Sequence, residues 1–229
     1  MFHITILVGF YIAIFLYTVI IHEVMHGYIA LKLGDPTAKY SGRLTLNPIS
    51  HIDLWGSVII PVIMFLTFQF PFGWAKPVPY NPYNLRNQKW GSALVALGGP
   101  GSNIVIAVLA ALAAKLIAIP VALKIEIIRN FNNWSDVSGI IAGSFGSIFY
   151  EVLVMVVFWN VLLAFFNLIP FPPLDGSKLL FAVLPIKTET MMILENFGFM
   201  ILLLVILVFA GPLGTFLNFM LNTFFSFAI

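Results

Sequence analysis

The chain has no cysteine, only four histidines, and very little charge: Asp, Glu, Lys and Arg together make up 9% of its 229 residues. Without cysteine there can be no disulfide and no thiolate ligand, so a bound metal would have to be held by His, Asp or Glu. So little charge excludes an ordinary soluble domain of this length, whose surface would carry far more. Eleven Lys and Arg against nine Asp and Glu leave a formal net charge of +2, with no basic block and no acidic tail, so no nucleic-acid partner is expected. No internal repeat is evident, which argues against the paired broken helices of many transporters.

What is present is hydrocarbon. Hydrophobic residues are 61% of the chain and 23 of them are Phe, which places it among membrane proteins with lipid as its surroundings. An apolar run from Ile4 to Ile21 opens a first helix expected over Phe2 to Leu33, where Gly34 suits a C-terminal cap and Pro36 blocks continuation. It has no basic leader and a long apolar core, so it is expected to stay as a permanent helix. A second span is expected to begin at Gly98-Gly99-Pro100 and run to Ile119, a third covers Ile148 to Ile169, and a last stretch, Phe197 to Ile229, is broken by Gly211-Pro212 into one kinked helix or two short ones. Val58 to Phe72 contains Pro61 and is shorter than the roughly 20 residues a spanning helix needs, so a re-entrant segment or a strongly tilted short helix is expected there. Gly42 to Asn47 and Trp74 to Tyr80 read as strands, the first by its alternation and the second by its prolines. The fold class expected is therefore an all-α polytopic membrane protein of four to six transmembrane helices with a small membrane-associated β-hairpin or strand region, forming a single domain over residues 1–229.

Loop charge orients this arrangement. Asp35 to Trp90 carries Lys39, Arg43, Lys76, Arg86 and Lys89 against Asp35 and Asp53, which places it on the cytoplasmic side and the N-terminus outside. The third span then runs inward and delivers Pro170 to Lys178 to that same side.

The chemistry is concentrated at His22-Glu23-Val24-Met25-His26, an H-E-x-x-H motif inside the first helix. Two histidines four residues apart share a helix face and can hold one metal ion, with Glu23 beside them as a general base. If the helix is centred in the bilayer, the pair lies about 10 Å from the midplane, shallow enough for water to reach. A catalytic zinc site keeps about three protein ligands and one open position, so a third ligand is needed. Asp175 stands out for this role because it follows Pro170-Phe171-Pro172-Pro173-Leu174, where an inward-running span is broken open; its local alternative is to cap the short helix expected from Ser177 to Leu184. Glu151 is placed at the far end of its span, and Asp35, Asp53, Glu189 and Glu195 in polar connections.

The motif, together with Asn167-Leu168-Ile169-Pro170-Phe171-Pro172-Pro173-Leu174-Asp175-Gly176 and Gly99-Pro100-Gly101-Ser102-Asn103 between them, resembles the site-2 protease family of intramembrane zinc metalloproteases. The resemblance runs from His22 to about Leu184. It implies one Zn2+ ion held by His22, His26 and Asp175, with Glu23 activating the water that attacks a peptide bond. It also implies a role for Asn167 near the metal in binding the substrate backbone or oxyanion, against a plain helix–helix hydrogen bond. Asn103 is a second, weaker candidate for substrate or oxyanion binding, against a structural role. Asn160, with no matching motif, is expected to serve interhelical packing. His51 and Asp53 are left outside the metal shell.

The activity implied is a zinc metalloendopeptidase that cleaves membrane-spanning or membrane-anchored proteins near the cytoplasmic face of a prokaryotic plasma membrane, with membrane lipid around it. Its substrates would be received by β-addition to the two strands. No insert is long enough for a PDZ domain and no CBS-like domain follows the last span, so regulation is expected from partner proteins. A metal transporter, or a non-catalytic relative that binds transmembrane helices, is the alternative; the oligomeric state is open.

Overall fold

The computed structural model of the protein describes residues 2–68, 75–131, 144–184, 186 and 188–229. Among the described residues its regular structure is helical, with no strand. Helix α1 (Phe2–Lys32) ends as its sequence predicts. Gly34 takes φ 112°, a left-handed conformation open to glycine, and lets the Asp35 amide return to the Ala30 carbonyl at 2.9 Å and the Gly34 amide to Leu31 at 3.2 Å. A short α2 (Thr37–Tyr40), a 3-10 turn (Pro48–His51) and a π-helical turn (Leu54–Ile59) lead into α3 (Ile60–Phe68). After an extended stretch over residues 75–80 come α4 (Gln88–Lys115), α5 (Val121–Asn130), α6 (Phe145–Asn167), α7 (Gly176–Val183), α8 (Thr188–Asn196) and α9 (Gly198–Ala228).

Among the described residues four helices are long and apolar enough to cross a membrane: α1 over Gly9–Lys32, α4, α6 and α9. The centre is the α4–α6 pair, against which both α1 and α9 pack. Along that seam Ala107, Ala111 and Ala114 of α4 meet Tyr150, Val154 and Val157 of α6, all without solvent exposure. Lipid tails offer no hydrophobic drive to associate, so small residues that allow close van der Waals approach hold such helices together. The same device brings α1 onto α4. A Cβ on Gly98 would lie 3.0 Å from the Met25 carbonyl oxygen and 2.9 Å from Ile29 Cγ1.

Several expectations are corrected. The second span begins at Gln88, nearly three turns before the expected start at Gly98, because Asn87 caps it by accepting from the Trp90 amide at 3.0 Å. Pro100 then sits inside the helix, where the loss of one N–H is tolerated among neighbouring helices. No β-hairpin forms among the described residues. Gly42 turns with φ 65° and the Arg43 amide folds back to Ala38, while Asn47 accepts from the Ile49 amide to start a 3-10 turn, so the first expected strand spends its hydrogen bonds locally. Residues 75–80 are extended but unpaired into any ladder, since Pro77 and Pro79 have no N–H to contribute; Trp74 lies outside the described residues. The re-entrant reading of Val58 to Phe72 is likewise unsupported. Pro61 is the second residue of α3, directly after the π-helical turn, and the chain stays helical through it to Phe68; residues 69–72 lie outside the described residues. The last stretch is one helix kinked at Phe209 (φ −111°, ψ 22°), three residues before Pro212, whose ring and missing N–H disrupt the preceding turn.

The loops on the α1–α4 side are tied to one buried carboxylate. Asp35 is fully buried and accepts from the Thr37 amide and hydroxyl, the Asn81 amide (2.6 Å) and Asn84 Nδ2 (2.8 Å). Burial pushes this carboxyl up, but those hydrogen bonds outweigh it and hold it below the usual carboxylate value of 3.8. Asp35 therefore contributes stability above that pH and loses it as the pH falls through its lower folded-state value. Asp35→Ala should destabilise the protein by about 3 kcal/mol at neutral pH, because buried donors are left unpaired. In unfolding measurements in detergent the gap from wild type should narrow below pH 3.8.

Candidate metal centre

The site is assembled from three segments. Helix α1 supplies His22 and His26 one turn apart, and Glu23 on the adjoining face. Helix α4 runs antiparallel beside it and presents Val95, Gly99 and Asn103, spaced by four residues on a single face. The third segment is the bend between α6 and α7, where Gly176 permits a close return: a Cβ there would lie 2.3 Å from the Leu168 carbonyl oxygen. That bend carries Asp175.

Asp175 Oδ2 stands 3.1 Å from His22 Nε2 and 3.3 Å from His26 Nε2. It makes no side-chain cap to α7, so the capping alternative is set aside by the structure. One atom from each of the three residues lies within 4.8 Å of the others, the one such group among the described residues. Tetrahedral bonds of about 2.0–2.1 Å would separate neighbouring ligand atoms by about 3.3 Å, so the spacing and the donor set both fit zinc. The far nitrogens of the rings are committed elsewhere: His26 Nδ1 donates to the Val95 carbonyl at 2.8 Å, and His22 Nδ1 faces Asn103 Oδ1 at 2.6 Å. Both Nε2 lone pairs are thereby left for a metal.

Gly99 makes the room. A Cβ at this position would sit 2.6 Å from the Nε2 atoms of both histidines, inside the space a metal would share. Burial alone would raise the Asp175 carboxyl, but hydrogen bonds and charge from the two histidines prevail and hold it below the usual carboxylate range.

Glu23 is held by the extended segment. Its Oε2 accepts from the Val78 amide at 3.0 Å. That segment is positioned in turn by the Lys76 amide on the His51 carbonyl (3.0 Å), by Arg43 Nη2 on the Lys76 carbonyl (2.6 Å), and by the contact of Val78 with α1, where a Cβ on Gly27 would lie 2.7 Å from Val78 Cγ1. A cavity of about 240 Å³ opens beside the metal ligands and is lined by Glu23, Val78, Asn167, Pro173 and Lys178 among others.

The sequence-predicted residues do not all converge. Asn167 lines this cavity, with Nδ2 turned back to the Leu163 carbonyl at 2.9 Å. Asn103 is fully buried behind His22 and lies outside the cavity lining. His51 and Asp53 are structural: His51 Nε2 donates to the Thr45 carbonyl at 2.8 Å, and Asp53 accepts from the Gly56 amide. Lys178 pairs with Glu195. Sequence reasoning missed Val95, Gly99 and Val78. Of these, Gly99 was legible in principle as part of a four-residue period on α4, whereas Val95 and Val78 act through backbone atoms that any residue carries.

Comparison with known proteins places the chain in a family. The model of the family described as Peptidase family M50 matches residues 10–209. The chain is 34% identical over 196 residues, 85% of its length and 77% of the relative's, to "Putative zinc metalloprotease YwhC" of Bacillus subtilis. It is 25% identical over 197 residues, 86% of its length and 66% of the relative's, to "Putative zinc metalloprotease Rip2" of Mycolicibacterium smegmatis. No solved structure was found to match. Gly99→Ala should fold but lose most of its zinc, since the new methyl occupies the ligand space; metal analysis of the purified protein, where wild-type zinc content would contradict this, is the check.

Proposed function

The chain belongs to peptidase family M50, a family of membrane metalloproteases, and from that membership and the site just described we propose that it is an intramembrane zinc metalloendopeptidase acting on membrane-spanning or membrane-anchored proteins. The observation that carries the reading is the convergence of His22, His26 and Asp175 from segments far apart in sequence, with Glu23 beside them at a cavity. A zinc ion held there supplies Lewis acidity, lowering the pKa of a water and polarising a peptide carbonyl. Glu23 takes the proton of the attacking water and passes it to the leaving amide nitrogen. The Val78 amide keeps one carboxylate oxygen of Glu23 in place, leaving the other to reach the water. Asn167, on the cavity wall, donates to the substrate backbone or the developing oxyanion once its amide turns from Leu163.

Substrate handling follows from backbone chemistry. A transmembrane helix hides its peptide bonds in internal hydrogen bonds, so the segment to be cut must unwind and find new partners. The extended 75–80 segment beside Glu23 is the surface it would meet. With Pro77 and Pro79 lacking N–H groups, that surface would hold substrate chiefly by accepting from substrate amides. The basic loop between α1 and α4 supports a cytoplasmic placement of the site, and the bacterial relatives support a prokaryotic plasma membrane. A membrane protease of this kind would suit regulated intramembrane proteolysis, with partner proteins supplying control. A retained Glu23 favours catalysis over metal transit, which needs ligands but no base.

Glu23→Gln should abolish cleavage of a reporter transmembrane substrate while leaving folding and zinc content intact; cleavage by this variant would refute the assignment. Val78→Pro removes the amide that orients Glu23 and should lower turnover about tenfold, roughly the worth of one hydrogen bond to a charged group. Zinc content should not change, and Val78→Ala, which keeps the amide and loses only part of the packing on α1, should lose less turnover than Val78→Pro.

A further inference from the structure

Behind His22 a chain of hydrogen bonds crosses from α1 through α4 to α6. His22 Nδ1 lies 2.6 Å from Asn103 Oδ1; Asn103 Nδ2 donates to Asn160 Oδ1 at 2.8 Å and more weakly to the Thr18 carbonyl at 3.4 Å. Asn160 Nδ2 donates to the Thr18 hydroxyl at 3.1 Å and to the Val156 carbonyl at 2.8 Å. His22, Thr18, Asn103 and Asn160 are all buried, none more than 4% exposed.

The direction of this chain is determined. An amide side chain can present either end to a neighbour, and a neutral imidazole can carry its proton on either nitrogen. Backbone carbonyls have no such freedom, because they only accept. The Val156 carbonyl therefore draws the NH2 of Asn160, which turns the Asn160 oxygen to Asn103. An oxygen there, helped by the Thr18 carbonyl, draws the NH2 of Asn103 and turns the Asn103 oxygen to His22. His22 Nδ1 must then carry the proton, which leaves the lone pair on Nε2, the atom 3.1 Å from Asp175. His26 reaches the same state by one step, on the Val95 carbonyl. The two ligands thus differ: the tautomer of His26 is set by backbone, that of His22 by two side chains.

We propose that Asn103 and Asn160 are positioning residues that select the Nδ1–H tautomer of His22, so that the metal affinity of the site is set partly by the α4–α6 contact and not by the three ligands alone. This rests on the zinc-site reading given above. It reassigns Asn103 from substrate or oxyanion binding to the support of a ligand, and it gives Asn160 a role beyond packing.

The test is zinc affinity, measured by competition with a chromophoric chelator on the purified protein in detergent, together with the visible absorption of the Co2+-substituted protein and the melting temperature of the metal-free form. Asn103→Leu keeps the volume but cannot accept from His22, and should weaken zinc binding about 10–100-fold and alter the Co2+ spectrum. Asn103→Asp still offers an oxygen to Nδ1 and should recover most of the lost affinity and the wild-type spectrum. Asn160→Leu, which leaves Asn103 free to flip, should show a smaller loss. Wild-type affinity and an unchanged Co2+ spectrum in Asn103→Leu, whatever its melting temperature, would overturn the proposal and leave the network as helix packing. Should Asn103→Leu fail to fold, unchanged affinity in Asn160→Leu decides against it equally. A wild-type protein that binds no zinc would instead overturn the metal site itself, and this inference with it.

Discussion

An imidazole has two ring nitrogens, and at His22 and His26 the one turned into the bundle of helices, away from the cavity, cannot reach water. A polar atom left without a partner there costs on the order of 1–3 kcal/mol, so each histidine of the site needs a partner on both sides. Asp175 faces the inner nitrogens, while the Val95 carbonyl and Asn103 face the outer ones. Meeting that need requires α4 to come close to α1 and the bend after α6 to come close to both. Much of the remaining architecture follows from those two approaches.

Closeness is supplied by missing side chains. Gly98 lets the two helix backbones touch, Gly99 leaves space between the histidine rings, Gly27 admits Val78, and Gly176 lets Asp175 turn in over the end of α6. The alanines of α4 do the same against α6. These positions fall in the same helices that carry the ligands, so the packing that holds the bundle and the geometry of the metal centre are one arrangement.

The polar side of the site depends on a different kind of constraint. Prolines at 77 and 79 keep the segment over Glu23 extended and leave the Val78 amide as the one N–H between them, and that amide grips the carboxylate. The segment is anchored through Arg43, His51 and, at its far end, Asp35, whose carboxylate gathers residues 81 and 84 beneath the end of α1. A loop rich in proline and bound to a buried charge has few conformations to lose when substrate arrives.

The apolar runs, the cap at Gly34, the break at Pro212 and the pairing of His22 with His26 through one helix turn are all local, and local pattern was sufficient to read them. So were the ligand types, because a chain without cysteine offers few others. Asp175 was ambiguous in sequence, since a carboxylate before a helix can cap it or leave it; only the nearness of two histidines more than a hundred residues away decides which. The start of the second span and the absence of a hairpin were misread for a local reason: Asn87 and Asn47 cap helical turns, and Gly42 turns the chain, in segments whose prolines and alternation suggested loop and strand. The sequence by itself therefore determined which segments are apolar enough to cross a membrane, and which residue types are at hand to hold a metal. Tertiary structure alone decided which nitrogen each histidine offers, what holds Glu23 and how much room lies between the ligands, because those depend on the distance between helices and on hydrogen-bond partners that meet only after the chain has folded.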